Sequence, residues 1–408
     1  MFKRKIKPEL ERALNRSPVV LLNGARQVGK TTLAQEIVKE RNYTYLTFDD
    51  EMVYLAAKEN PSGFIVGLPK PIVLDEVQRI PEIFLAIKQD VDKNRIPGRY
   101  LLTGSANPLL IPRLGDSLAG RMEVLDLMPL SQGEIYNTQE SFIDTIFSNT
   151  QLQTPKKDLS KEKLFERIIM GGYPWVQNHT QINHDAWMRS YLNLILQRDI
   201  KDLANIEKLA EIPNLLKILA SRTGGLLNIA DLSRESKLVN KTLNRYLVLL
   251  ETIFLIYTQR SWHNNITLRY TKAPKVYFTD SGLLAYLLNS NLTRSLSDGT
   301  LAGKLVENFV VNELRKQTTW SITRPELYYF RTSNGQEVDI ILENRSGEII
   351  GIEIKATTTA TINDTKGLTY LQETMGKIFI RGIVLYCGDK YVPFSKNISA
   401  LPINALWE

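Results

Sequence analysis

Short apolar runs punctuate the first third of the chain. Residues 19–22, 45–48, 72–74, 100–102 and 122–127 form short, mainly apolar runs, and stretches of helical period separate them. Runs of this length suit buried strands, and their alternation with helices predicts a parallel α/β sheet between Arg4 and about Glu140. A polar segment, 149–163, reads as a linker or exposed loop. The pattern is then mostly helical to about Ser290, with helices expected at 207–222, 229–236 and 240–256. Gly224-Gly225 ends the first of these, and Asn240 reads as the N-cap of the third. Residues 257–262 follow as a wing-like strand. After Asn291 comes a polar stretch, a helix at 303–316, and strands at 327–330, 338–342, 349–354 and 383–387. The expected division is 1–140, an α/β core; 141–205, a helical lid or linker; 206–290, a winged-helix-like unit; and 291–408, a second α/β unit.

At about 150 residues per domain, 408 residues imply two or three domains. The composition, 43% hydrophobic and 23% charged, is that of a globular chain. A single cysteine, Cys387, excludes an internal disulfide, and three histidines argue against a histidine-rich metal centre. The net charge of +7 is compatible with nucleic acid but names no partner. Glu9, Glu11 and Arg12 interrupt any N-terminal signal core. The longest apolar stretch, 246–257, contains Glu251 and is too short for a bilayer. A cytoplasmic protein without a membrane partner is the expectation.

The chemistry begins at Gly24-Ala25-Arg26-Gln27-Val28-Gly29-Lys30-Thr31, a full GxxxxGK[ST] match. It sits between an apolar run and the helical pattern opened by Thr32, the context the motif requires. Its glycines let successive backbone N–H groups face phosphates at a helix N-terminus. Lys30 is expected to reach the β- and γ-phosphates of ATP, and Thr31 to ligate Mg²⁺. In Pro71-Ile-Val-Leu-Asp75-Glu76, an apolar strand ends in two acids. Asp75 would hold Mg²⁺ through water and Glu76 would polarise the attacking water, which favours hydrolysis over binding alone. The strand at 100–102 is expected between those two, with Thr103 or Ser105 near the γ-phosphate. Arg121 and Arg113 are candidates for an arginine that stabilises transition-state charge. Action in trans would require a homo-oligomer; Arg121 acting in cis would not.

These residues resemble a family of bacterial and archaeal AAA-type ATPases. The resemblance rests on GARQVGKTTL, IVLDEVQ, LLTGSAN, LAGRMEVLDLMPLS, GGYP and Tyr191-Leu with Gln-Arg198-Asp199, and it covers nearly the whole chain. It implies an AAA-like core, a winged-helix segment and a C-terminal region similar to restriction-endonuclease-like nucleases.

In the C-terminal part, Glu307 falls in a helix, Asp339 starts one strand, and Glu353 and Lys355 end another. A hairpin would set Asp339 beside Glu353, and Glu353 and Lys355 point to one face. Two acids can bind a divalent metal, Mg²⁺ or alternatively Mn²⁺, and a neighbouring lysine can orient or deprotonate a water. This looks like a PD-(D/E)xK signature, and the resemblance supports carrying its roles to Glu307, Asp339, Glu353 and Lys355. The first motif reads Glu-Val-Asp rather than Pro-Asp, and Glu337 is expected on the face opposite Asp339. Lys237, Lys241 and Arg245 lie where a winged helix would meet DNA or RNA, with DNA favoured. The leading reading is an ATPase coupled to a nuclease-like, nucleic-acid-binding or -cleaving domain. The alternative is a nucleotide-driven switch or scaffold that binds without cutting.

Overall fold

A computed structural model describes residues 2–105, 118–148, 150–179, 183–200 and 209–408. Five strands, β1 (Val19–Asn23), β2 (Thr44–Thr47), β3 (Ile72–Asp75), β4 (Tyr100–Gly104) and β5 (Met122–Asp126), form a parallel sheet in the order β2-β3-β4-β1-β5. The apolar runs are strands because helices cover both faces. Val20, Leu22, Val73 and Leu101 pack against the helices Lys7–Arg16 and Lys30–Arg41, while Val19, Leu21, Ile72 and Leu74 pack against Ile83–Lys93. All five C-terminal strand ends share one edge, where Asn23 lies opposite both Gly104 and Asp126, and Thr47 opposite Asp75. Ligands of open α/β sheets bind at such an edge.

The middle region is helical, with Lys161–Met170, His184–Leu194, Ile212–Ser221, Ile229–Ser236 and Asn240–Thr252, and then a hairpin of β6 (Ile256–Gln259) and β7 (Lys275–Phe278). The expected start of the 207–222 helix falls partly outside the described residues. The Asn228 side chain caps Ile229–Ser236, and Lys237, at φ +58°, closes it. Asn240 is the first residue of its helix rather than the cap, because Val239 takes the extended cap position.

The third part opens with the helix Gly299–Thr318, capped by Asp298. It continues through β8 (Glu326–Arg331), β9 (Glu337–Glu343), β10 (Ile349–Lys355), the helix Lys366–Met375, β11 (Phe379–Tyr386), β12 (Val392–Pro393) and β13 (Ile398–Pro402). The sheet runs β12-β13-β11-β10-β9-β8, antiparallel through β8–β10 and parallel from β10 to β13. The helix at Lys366–Met375 and strands β12 and β13 were not among the expected elements. One hydrophobic core joins the three parts, with Leu33, Leu215 and Val310 in the same cluster. The segment after Ser148 is no free linker. Leu152 is buried in that core, the Thr150 carbonyl accepts from Arg381, and the Lys157 carbonyl accepts from Asn404 at 2.6 Å.

Candidate active site and a closed acidic cluster

The phosphate loop joins β1 to the Lys30–Arg41 helix. Gly24, Gln27 and Gly29 take φ of +149°, +64° and +99°, so the chain curls back on itself. A Cβ on Gly24 would lie 2.2 Å from the Leu127 carbonyl oxygen, which explains glycine there. Ala25, Arg26, Gln27 and Val28 make the bend, with Val28 buried beneath it. Lys30 opens the helix, and its Nζ donates to the Gly24 and Ala25 carbonyls at 2.9 and 2.8 Å. Thr32 follows on the exposed first turn.

Next to the loop, Thr31 Oγ1 donates to Asp75 Oδ2 at 2.9 Å. Tyr45 OH donates to the same oxygen at 2.7 Å, and Thr103 Oγ1 donates to Asp75 Oδ1. Burial and Asp75 both push the Tyr45 phenol up, so it remains a donor. Glu76 has left-handed backbone (φ +61°), and its N–H donates to Thr103 Oγ1 at 3.2 Å. The Gln78 amide donates to the Glu76 carboxylate and, at 2.9 Å, to Ser105 Oγ; Ser105 Oγ lies 3.4 Å from Glu76. Thr103 therefore serves the Asp75 carboxylate, and Ser105 stands beside Glu76. A hydroxyl and a carboxylate in contact beside a caged lysine suit a hard cation and phosphate.

Tyr45, Gln78 and Arg4 join this site without having been expected. Gln78 lies within the quoted DEVQ run, the only signal available for it. Arg4 donates to the Val28 carbonyl and the Met128 carbonyl, both at 2.6 Å, and to Glu134 at 3.1 Å. From the middle region, Tyr173 of GGYP donates to Tyr191 OH at 2.7 Å, and Tyr191 OH reaches the Arg26 carbonyl at 3.4 Å. Arg198 and Arg79 both bind Asp49, just beyond β2. For Arg121, the expected role in cis is corrected. It precedes β5, at the sheet edge opposite the phosphate loop, and pairs with Asp92. That placement removes it from the pocket of its own chain. Arg113 lies outside the described residues.

The C-terminal acids do meet. Ile352 pairs with Ile340 across β10 and β9, which brings Glu353 opposite Asp339, and Asp339 Oδ2 accepts from the Ile354 N–H at 2.9 Å. Lys355 Nζ lies 2.7 Å from Glu353. Glu337 does not face away. Residues two apart on a strand share a face, and both Glu337 and Asp339 reach Lys275. Lys275 comes from β7 of the middle region and is 2% exposed. Its Nζ sits 2.8 Å from Glu337, 3.3 Å from Glu307 and 3.6 Å from Asp339. Tyr277, from the same strand, donates to Glu307 at 2.7 Å. Gly224 closes the other side, where a Cβ would lie 2.7 Å from Glu307 Oε2.

Burial and the neighbouring Asp339 push Glu307 up to about 7 and Glu353 up to about 8. Burial opposes the charge on Lys275, but Glu307, Asp339 and Glu337 outweigh it and raise its pKa. A divalent cation does not fit this arrangement, because an ammonium already holds the centre of the acids. Among the described residues, no group of three or more acidic, histidine or cysteine side chains is spaced to hold a metal.

Sheet order, phosphate loop and the acid-tipped β3 are those of a P-loop, AAA-type ATPase-like domain. Residues 16–136 match the AAA domain family, residues 161–294 a domain of unknown function (DUF8612), and residues 302–406 a second one (DUF4143). The uncharacterized proteins Rv2008c of Mycobacterium tuberculosis and Mb2031c of Mycobacterium bovis are each 31% identical over 97% of this chain and 82% of their own length. The chain belongs to the family of these proteins. An uncharacterized Haemophilus influenzae protein is 21% identical over 89% of both chains. Among solved structures, a Walker-type ATPase of Pyrococcus abyssi is 18% identical over 70% of this chain and 96% of that one, with a TM-score of 0.40. The RuvB Holliday junction branch migration motor of Thermotoga maritima is 18% identical over 63% and 89%, with a TM-score of 0.31. No helix among the described residues is long and apolar enough to cross a membrane.

Proposed function

We propose that this chain hydrolyses ATP and uses the nucleotide cycle to control a C-terminal domain that engages nucleic acid. The observation that carries the first half is the meeting of Thr31 with Asp75 beside Lys30, with Glu76 next in the chain. Bound Mg²⁺ would be held by Thr31 and, through water, by Asp75, and would neutralise charge building between the β- and γ-phosphates. Lys30 would exchange its two loop carbonyls for phosphate oxygens. Glu76, oriented by Gln78 and Ser105, is the base that aligns water. The test is Mg²⁺-dependent ATP turnover, lost in Lys30→Ala and Glu76→Gln. Wild-type turnover in Glu76→Gln would overturn the assignment.

For the second half, three helices followed by the β6–β7 hairpin support a winged-helix reading. Lys237, Lys241 and Arg245 are all exposed on it. The order helix, β8, β9, β10, helix, β11, with Glu307, Asp339, Glu353 and Lys355 on the first helix and middle strands, supports a PD-(D/E)xK-like unit. DNA remains the favoured polymer, and assembly into a homo-oligomer is a further part of the proposal.

A second reading, a switch or scaffold that binds without cutting, is favoured by the placement of Lys275 among the acids. Incubation with labelled DNA and RNA plus Mg²⁺ or Mn²⁺, with and without ATP, separates the two. Cleavage lost in Asp339→Ala and Lys355→Ala selects the nuclease. Salt-dependent binding of intact strands selects the switch.

A further inference from the structure

The phosphate loop leans on a side chain from outside its own strand–turn–helix unit. Arg4 precedes the helix Lys7–Arg16, and its side chain is only 8% exposed. Its guanidinium donates from Nη1 to the Val28 carbonyl, from Nη2 to the Met128 carbonyl and from Nε to Glu134 Oε1. Those acceptors are themselves held. Val28 is fully buried beneath the loop. Met128 follows β5, and the Leu127 N–H just before it donates to the Asn23 carbonyl at 2.7 Å. Glu134 lies in the short helix Gln132–Tyr136 and accepts from the Lys5 N–H at 2.7 Å and the Ser131 N–H at 3.1 Å. The LMPLS run thus supplies one acceptor for Arg4 and, through Ser131, a clamp on another.

What these contacts fix is a peptide plane. The Val28–Gly29 peptide is trans, so the Val28 carbonyl and the Gly29 N–H point in opposite directions. Arg4 draws the carbonyl to the buried side. The Gly29 N–H is thereby turned towards the open side of the loop, where Gly29 is half-buried. Gly29 has φ +99°, and glycine permits many other orientations, so a contact from outside must select this one. The helix that Gly29 opens has no side-chain cap, which leaves its N-terminal N–H groups to an anion. We propose that Arg4 is a positioning residue of the ATP site, setting the Gly29 N–H for the phosphates. This rests on the reading of the loop as an ATP site. The charge of Arg4 is balanced by Glu134 and its donors go to protein acceptors, so it acts through the loop and not on the nucleotide. A planar fork that meets three acceptors at once suits the task better than the point charge of a lysine.

The test measures ATP and ADP binding by titration calorimetry, and KM and kcat for ATP, on the full chain well below each variant's melting temperature. Loop N–H groups cradle phosphates that ATP and ADP share. Arg4→Met should therefore weaken both nucleotides by the same factor, about tenfold or more, the usual worth of a hydrogen bond to a charged group. KM should rise with it, and kcat should change far less, as when binding common to ground and transition state is lost. Arg4→Met with Glu134→Gln removes cation and acid together, leaves no buried charge over, and should show the same weakening. Arg99→Met is the control. It breaks another partly buried pair, with Asp90, just ahead of β4, and should lower the melting temperature without touching nucleotide affinity. Unchanged affinity in both Arg4 variants, a fall in kcat with KM and affinity intact, or equal weakening in Arg99→Met would each overturn the proposal and leave the ATP site standing. A wild type that binds neither ATP nor ADP would remove the site itself, and the proposal with it.

Discussion

Each of the two polar centres is built around a lysine, and they differ in where its partners come from. Lys30 is held by the carbonyls of Gly24 and Ala25, six and five residues away in its own loop. Lys275 is held by Glu307, Glu337 and Asp339, which belong to another part of the chain. The first lysine can exchange weak carbonyl contacts for phosphate oxygens with little rearrangement. Releasing the second would mean separating β7 from the C-terminal sheet and leaving buried acids uncompensated. A local cradle is poised for ligand, whereas a long-range ion cluster acts as a clasp between regions.

The largest effect should fall on the local site. Glu76→Gln should lower ATP turnover by about 10²–10⁴-fold, the usual worth of a positioned base, and leave ATP binding intact. Steady-state turnover alongside nucleotide binding checks this. Next comes the clasp. Lys275→Ala removes the one cation common to three carboxylates and should destabilise the fold by about 3–5 kcal/mol in denaturant unfolding. Mg²⁺ or Mn²⁺ should then raise the melting temperature of Lys275→Ala but not of the wild type. An equal metal response in both would mean that Lys275 is no barrier.

A smaller effect concerns pH. Glu140 accepts from Ser131 Oγ at 2.7 Å and from Gly133 N–H at 3.0 Å, and burial with Glu313 nearby pushes it up to about 8. A carboxyl raised in the folded state costs nothing below about pH 4.5, where both states are protonated. Its contribution is then lost progressively as pH rises through 8. Glu307 and Glu353 act in the same direction. Melting temperature should therefore fall between pH 5 and pH 8.5, and Glu140→Gln should reduce that slope without removing it. Smallest of all is Arg121→Ala. Its ion pair with Asp92 is solvent-exposed, so melting should be unchanged. Turnover should also be unchanged at concentrations where the protein is monomeric, and a concentration-dependent loss would place Arg121 against a neighbour's nucleotide.

The five strands of the first sheet were legible because each is a short, mainly apolar run bounded by turn residues, and β1, β3 and β4 are buried along their whole length. The phosphate loop and the Asp75-Glu76 pair were legible because their partners lie within one strand–turn–helix unit or at one sheet edge. The C-terminal acids were half legible, since the 14-residue spacing of Asp339 and Glu353 suits a hairpin. Glu337 was misassigned against the strand's own period of two. Lys275 carried no signal, because a lysine in an apolar strand looks like any edge residue until the partner sheet is in place. For Arg121, the role within its own chain failed for the converse reason. Its LAGR run is distinctive, but which end of the sheet it occupies depends on strand direction.

The sequence by itself determined the strands of the first sheet, the phosphate loop and the positions of the acids, since these follow from local periodicity and from backbone geometry that only certain residues allow. Tertiary structure alone decided that Lys275 closes the acidic cluster, that Arg4 braces the phosphate loop, and that Arg315 and Asp126 face one cavity. The residues so brought together lie from 24 to nearly 190 positions apart in the chain. No local pattern encodes such pairs, because they arise only when separate elements are pressed together around a shared core.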